Sequence, residues 1–283
     1  MKNLKNNLSS SSIDFMREIV SSKRNTQNDP NRKTRLLSLV TKVDPSYSNY
    51  DRKMSTNTLT SLTPLVISAS EEVDFLNLYS YKNSKLTAFR RAISTDNTST
   101  YQPTCQYCTI NSVNSLDHFA PKDLFPEFSV HPNNLIPSCT ECNSKKLVRW
   151  INNNQHIFLN LYIDILPDIQ YLFVEFDIIS LSDINVNFRI DNLNNISLPL
   201  YTIITSHYRE LDLFQRFKDK SSDVIIELTN SIQASLSNGI SITDIKQTII
   251  DTCNLDKKHK GHNHYQIILK ETLIQSNNYI SLF

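Results

Sequence analysis

Two cysteine pairs constrain this chain more than any other feature: Cys105 and Cys108 in CQYC, and Cys139 and Cys142 in CTEC. Two residues between thiolates let one tight turn aim both sulfurs at a single ion at about 2.3 Å, and two such turns close a tetrahedral zinc site with no open position. Such a site predicts a structural zinc, whose binding free energy of roughly 10 kcal/mol or more can fold the segment around it. The N-terminal MKNLKNNLSSSSIDF lacks the apolar stretch of an export signal, so metal is expected rather than disulfides, in a reducing, cytoplasmic setting. Residues 109–138 separate the pairs, more than the roughly fifteen to twenty residues of a simple ribbon. Something substantial is inserted between the knuckles.

The insertion carries Leu116-Asp117-His118-Phe119, an acid and an imidazole with apolar neighbours on both sides. Hydrolysis of a phosphodiester needs a base that works near neutral pH, and histidine, with an ordinary pKa of about 6.5, is the default. It also needs a cation to neutralise charge on the phosphate and the leaving oxygen. Magnesium prefers oxygen donors and keeps most of its waters, so one or two protein oxygens suffice. Asp117 can give one and the amide carbonyl of Asn143, directly after the last cysteine, another. Pinning Cys142 to zinc would send Asn143 out in a fixed direction on the first turn of a helix. Asn134 is expected to bond His118 or its backbone and so set the ring, with Asn133 the rival for that position. Lys146, one helical turn beyond Asn143, is expected to reach a phosphate oxygen, and Lys122 is a second phosphate-binding candidate. Adjacent residues of a regular strand face opposite ways, so Asp117 and His118 can share a site only where the strand ends or bulges, which Pro121 allows.

The string from Cys105 to Lys146 resembles the HNH endonuclease family, in which an Asp-His or His-His pair on a hairpin is followed by a central Asn and a final His or Asn on a helix. The resemblance implies a ββα-metal, treble-clef-like finger braced by two knuckles, the second reading C-x-x-C-N-x-x-K as here. It assigns Asp117 and Asn143 as ligands of a catalytic cation, His118 as the general base and Asn134 as the central Asn. The final position is Asn, which favours magnesium or manganese over softer metals. DNA is the implied substrate, with RNA possible, and cleavage would leave 5′-phosphate and 3′-hydroxyl ends. FLNLYIDILPD, HYRELDLFQRF and GHNHYQIILKETL look like segments that flank the motif in bacterial HNH proteins, including nuclease subunits of phage-defence systems. That wider likeness implies an antiviral defence effector, working with a partner protein such as an ATPase. The competing reading is a zinc finger without catalysis, either a nucleic-acid-binding module or a scaffolding subunit.

Composition narrows the remainder. A formal charge of +1 over 283 residues means that any phosphate-binding surface must be a local patch. Two glycines, Gly239 and Gly261, cannot write a glycine-spaced phosphate loop. No apolar run is long enough to predict a membrane span. The expected fold class is α+β, a small zinc finger embedded in a mostly helical chain.

Four regions are expected. Residues 1–65 are polar and basic, with Lys23, Arg24, Arg32, Lys33, Arg35, Lys42, Arg52 and Lys53, and read either as a phosphate-tracking arm or as a solvated, partly flexible face. Residues 66–104 read as a helix pair joined near Asn83-Ser84, then a polar loop from Thr95 to Thr104. The finger occupies 105–150, with Trp150 and Phe158 expected as core packing around it. Residues 151–283 pass from short strands or extended chain, including Ile184 to Ile190, to helices over Thr202 onward, Ser222–Ser237, Thr243–Thr252 and Tyr265–Ser276, and are expected to pack on the finger. His259, His262 and His264 have no acid or cysteine beside them, so they read as a loop entering the last helix, with Asn263 its N-cap, rather than a metal site. Cys253 reads as a small buried hydrophobe.

Overall fold

The computed structural model describes residues 1–6, 8, 10–95, 101, 103–181 and 183–283. Most of the loop expected over Thr95–Thr104 lies outside the described residues. The chain divides into two compact units, one of residues 3–107 and 111–165, the other of residues 1–2, 108–110 and 166–283. No helix among the described residues is long and apolar enough to cross a membrane.

The first unit opens with helices where the sequence showed only polarity. Helix α1 (Ser12–Ser21) is capped by the Ser11 hydroxyl and buries Phe15, Met16, Ile19 and Val20. Helix α2 (Arg32–Ser55) is long and highly charged, yet Leu36, Leu39, Val40, Val43, Tyr47 and Tyr50 recur at helical spacing and are all buried. The basic residues therefore ride the outer surface of a packed helix rather than a flexible arm. Arg35 is typical: its guanidinium holds Asp29 at 2.8 Å and Asp74 at 2.5 Å, fixing the start of α2 against helix α3 (Ala69–Leu78). Helix α3 starts at a capping box of Ser68 and Glu71, and α4 (Ser84–Ile93) at Asn83, whose side chain accepts from the Lys85 and Leu86 amides. The helix pair is as expected, although Val73 faces solvent and the buried stripe of α3 is Asp74, Phe75 and Leu78.

Next comes the finger. Strands β1 (Ser115–His118) and β2 (Leu135–Ser138) pair antiparallel, with Asp117 opposite Ile136 and His118 opposite Leu135. Between them the chain makes 3-10 turns at Pro126–Phe128 and Pro132–Asn134. Helix α5 (Thr140–Lys146) follows at once, N-capped by Cys139. This is a ββα finger in a mostly helical chain, as the sequence implied. A short hairpin, β3 (Ile151–Asn152) and β4 (Gln155–His156), turns on Asn153 and Asn154, both in the left-handed region that asparagine tolerates. Trp150 packs edge-on against Phe119 and Phe125 at 6.0 and 5.5 Å, and Phe158 is fully buried, so both serve the core beside the finger.

The second unit is a hairpin and a helical array. Strands β5 (Leu172–Ser180) and β6 (Asp183–Ile190) pair antiparallel, followed by α6 (Leu198–Glu210), α7 (Leu213–Ser237), α8 (Ile242–Lys260), α9 (Tyr265–Gln275) and α10 (Asn277–Ile280). Phe217 and Tyr265 stack, Phe188 packs edge-on against both, and Cys253 is buried as expected. Asn263 does not cap α9. Its side-chain carbonyl accepts from the Tyr171 and Leu172 amides while its amide donates to the Ile169 carbonyl, so it fastens the start of β5, and His264 takes the cap position without a side-chain bond.

Candidate active site

The two knuckles converge. The sulfurs of Cys105, Cys108, Cys139 and Cys142 all lie within 4.8 Å of one another, every one buried, and none is in a disulfide. A tetrahedron of about 2.3 Å bonds sets sulfurs about 3.8 Å apart, so the spacing suits a zinc ion with little adjustment. Donors already face the sulfurs: the backbone N–H of Cys142 donates to Cys139 Sγ at 3.4 Å, that of Ile110 to Cys108 Sγ at 3.4 Å, and the Asn111 side-chain amide to Cys139 Sγ at 3.9 Å. These donors favour thiolates, the form that binds metal. The donor set, the burial and the polarity all fit a structural zinc.

Capping by Cys139 fixes where α5 begins, and α5 then lies on β1. The Asn143 amide donates to Ser115 Oγ at 2.8 Å. One turn on, Lys146 Nζ sits 3.3 Å from Asp117 Oδ1 and donates to the His118 carbonyl at 2.7 Å. Ser115 and Asp117 share one face of the strand, so Asn143 and Lys146 both bond to the face that carries Asp117. The other Asp117 oxygen accepts from the Tyr107 hydroxyl at 3.1 Å. Asp117 is 2% exposed and Lys146 0%, which corrects one expectation: Lys146 does not reach outward to a phosphate, because its ammonium is spent on Asp117 and the strand backbone. Burial lowers the Lys146 pKa and the Asp117 charge opposes that.

Strand β1 ends at His118, whose ring is only 6% exposed. Nε2 lies 2.8 Å from the Ser129 carbonyl, an acceptor only, so Nε2 carries the hydrogen and Nδ1 the lone pair. Ser129 is itself fixed, donating its hydroxyl to the Phe75 carbonyl at 2.6 Å. The Tyr79 ring packs edge-on against the imidazole at 4.8 Å, and its hydroxyl donates to the Leu116 carbonyl. Burial pushes the His118 pKa down to about 3; the Ser129 hydrogen bond resists, and the charges of Lys122 and Lys146 add to the fall. The resting imidazole is neutral and oriented. Lys122 Nζ stands 5.8 Å over the Tyr79 ring, near enough for its charge to act on His118.

Asn134 does not touch His118. Fully buried, it accepts from Ala120 N–H at 2.7 Å and the Tyr50 hydroxyl at 3.0 Å, and donates to the carbonyls of Ala120 and Phe128 at 3.0 and 3.2 Å. Its own carbonyl accepts from Phe119 N–H. It therefore pins the two residues after His118 and the turn that presents Ser129, orienting the ring through the backbone. Asn133 faces elsewhere, donating to Asp51 at 2.7 Å. Asn134→Ala strands four buried backbone and hydroxyl groups, each unsatisfied group costing about 1–3 kcal/mol. The expected result is a denaturation midpoint lowered by about 3 kcal/mol or more in free energy, read by urea unfolding. A loss under about 0.5 kcal/mol, ordinary for a surface site, would refute the clamp.

Comparison with known proteins agrees with this geometry. Residues 105–149 match the HNH endonuclease family. The matched segment spans both knuckles, β1, β2 and α5, and thus the whole ββα finger. Protein ea31 of Escherichia phage lambda is 40% identical over 62 residues, which is 21% of this chain and 21% of that protein, so the chain spans about a fifth of the length of this relative. No solved structure matches. Tyr79, Tyr107, Ser115 and Ser129 were not singled out from sequence. Tyr107 lies inside CQYC and could have been noticed; Tyr79, far upstream, carries no local signal.

Proposed function

We propose that this chain is a metal-dependent HNH endonuclease hydrolysing phosphodiester bonds in DNA, with RNA the alternative substrate. The observation that supports it best is the coupling of acid, base and helix through one strand: α5 holds Asp117, the His118 carbonyl and Ser115 at hydrogen-bond range through Lys146 and Asn143.

In this reading His118 Nδ1 takes a proton from the attacking water, its tautomer held by Ser129. Asp117 and Asn143 would hold magnesium or manganese, a carboxylate and an amide carbonyl being suitable hard donors. Such a cation, when bound, neutralises charge on the phosphate and the departing oxygen. Lys146 keeps the Asp117 carboxylate in place, and Lys122 takes a non-bridging oxygen. The four cysteines hold the structural zinc. A defence effector acting in the cytoplasm, partnered by an ATPase, is the biological role we favour, and co-purification with a neighbouring gene product tests it.

The reading of a finger without catalysis draws support from one feature, the ammonium of Lys146 already neutralising Asp117. A cleavage assay separates the two. Supercoiled plasmid, single strands and RNA are each incubated with the zinc-loaded protein, with and without magnesium. Magnesium-dependent nicking is expected. Binding without cleavage in magnesium and in manganese alike overturns the enzymatic reading.

A further inference from the structure

Outside the matched segment, the last turn of α4 carries a cation that lies over a tyrosine of the α3–α4 joint. The Arg90 guanidinium lies over the Tyr81 ring, its carbon 4.1 Å from the centroid. Its Nη1 is enclosed and has no hydrogen-bond partner among the described residues. A guanidinium has five donors and no acceptor, and leaving a charged donor enclosed and unmatched costs more than a neutral one. Nε and Nη2, unlike Nη1, are not enclosed, so this edge of the stacked guanidinium is left to bind an anion in bidentate fashion. The neighbouring Tyr79 links this cation to the site. Its ring touches His118, its hydroxyl bonds the β1 backbone, and Lys122 stands over it as a second cation. The charges of Arg90 and Asp117 both act on the Tyr79 hydroxyl, which puts Arg90 in the electrostatic neighbourhood of the site.

We infer that Arg90, seated on Tyr81, and Lys122, seated on Tyr79, form a phosphate-binding groove that holds a nucleic-acid strand beside the scissile bond. The inference rests on the nuclease reading for its substrate class, though not for its geometry. Arg90 binds a phosphate flanking the one that reacts, so it contributes to affinity and register rather than to the chemical step. Lysine at this position would keep the charge and lose the fork.

The test uses the full-length, zinc-loaded protein and a fluorescent mixed-sequence DNA oligonucleotide, single-stranded and duplex. Binding is measured without added magnesium across a salt series, and cleavage kinetics with magnesium. Arg90→Ala is expected to weaken binding by about tenfold or more, the worth of a charge-assisted hydrogen bond. The slope of log affinity against log salt should shrink by about 1. KM should rise in proportion while kcat stays within about twofold, and Arg90→Lys should recover part of the affinity. Unchanged affinity and slope overturn the groove. So does a lowered kcat with unchanged binding, or equal impairment of the lysine and alanine variants together with a lowered melting temperature. If the wild type binds without cutting and Arg90→Ala still loses affinity, the nuclease reading fails and the groove stands.

Discussion

Replacing His118 with alanine is expected to slow DNA cleavage by about 10²–10⁴-fold, the range by which a positioned general base contributes, while leaving DNA affinity nearly intact. Two contacts hold the ring in one pose, and its lone pair sits on Nδ1 because Ser129 claims the opposite nitrogen. The substitution also leaves the Ser129 carbonyl unmatched, at a cost of about 1–3 kcal/mol. Stability must therefore be read in parallel. His118→Gln serves as the second variant, because its amide can donate toward the Ser129 carbonyl but cannot accept the proton. A melting temperature near that of wild type with cleavage still lost isolates the chemistry. Cleavage by both variants at the wild-type rate would remove His118 from the mechanism and favour a finger that binds without cutting.

How much of this was readable beforehand depends on how far each interaction reaches along the chain. The zinc cluster is two local turns, and C-x-x-C spacing encodes a local turn directly, so all four cysteines were legible. The antiparallel register of β1 and β2 also follows from a compact segment. Helical periodicity correctly placed Asn143 and Lys146 on one face of α5. It could not say which way that face points, and tertiary packing turned it onto β1 rather than toward solvent. Asn134 was found by motif, but its partners were not, because they are backbone groups of Ala120 and Phe128 and a hydroxyl from α2.

Helix α2 shows why the N-terminal region was misjudged. Its apolar stripe is diluted by charges on the remaining faces and interrupted by Pro45, so average polarity hides a periodic signal that burial reveals. Tyr50 on that stripe then reaches Asn134, which means part of the region read either as an arm or as a solvated face holds the loop between β1 and β2. Tyr79 is the extreme case. Its role depends on α3 and α4 packing beside β1, a long-range arrangement with no pattern in the immediate sequence.

Cys139→Ser should abolish metal retention, taking the bound metal from about one equivalent of zinc to none, and should unfold the finger. Cys139 does more than ligate. It caps α5 and receives the Cys142 amide on its sulfur, so the same atom sets both the metal corner and the first turn of the helix that carries Asn143 and Lys146. Serine can preserve the cap, since its hydroxyl is a good N-cap acceptor, but it is a poor zinc ligand. The substitution therefore separates capping from metal binding. With roughly 10 kcal/mol or more of binding free energy withdrawn, the capped seven-residue helix cannot stand alone, being far below the dozen or so residues that an isolated helix needs. Limited proteolysis should then cut within residues 105–149, whereas the wild type resists, and cleavage activity should vanish with the finger. A Cys139→Ser protein that keeps one zinc and an intact finger would show that the brace is not what couples α5 to β1.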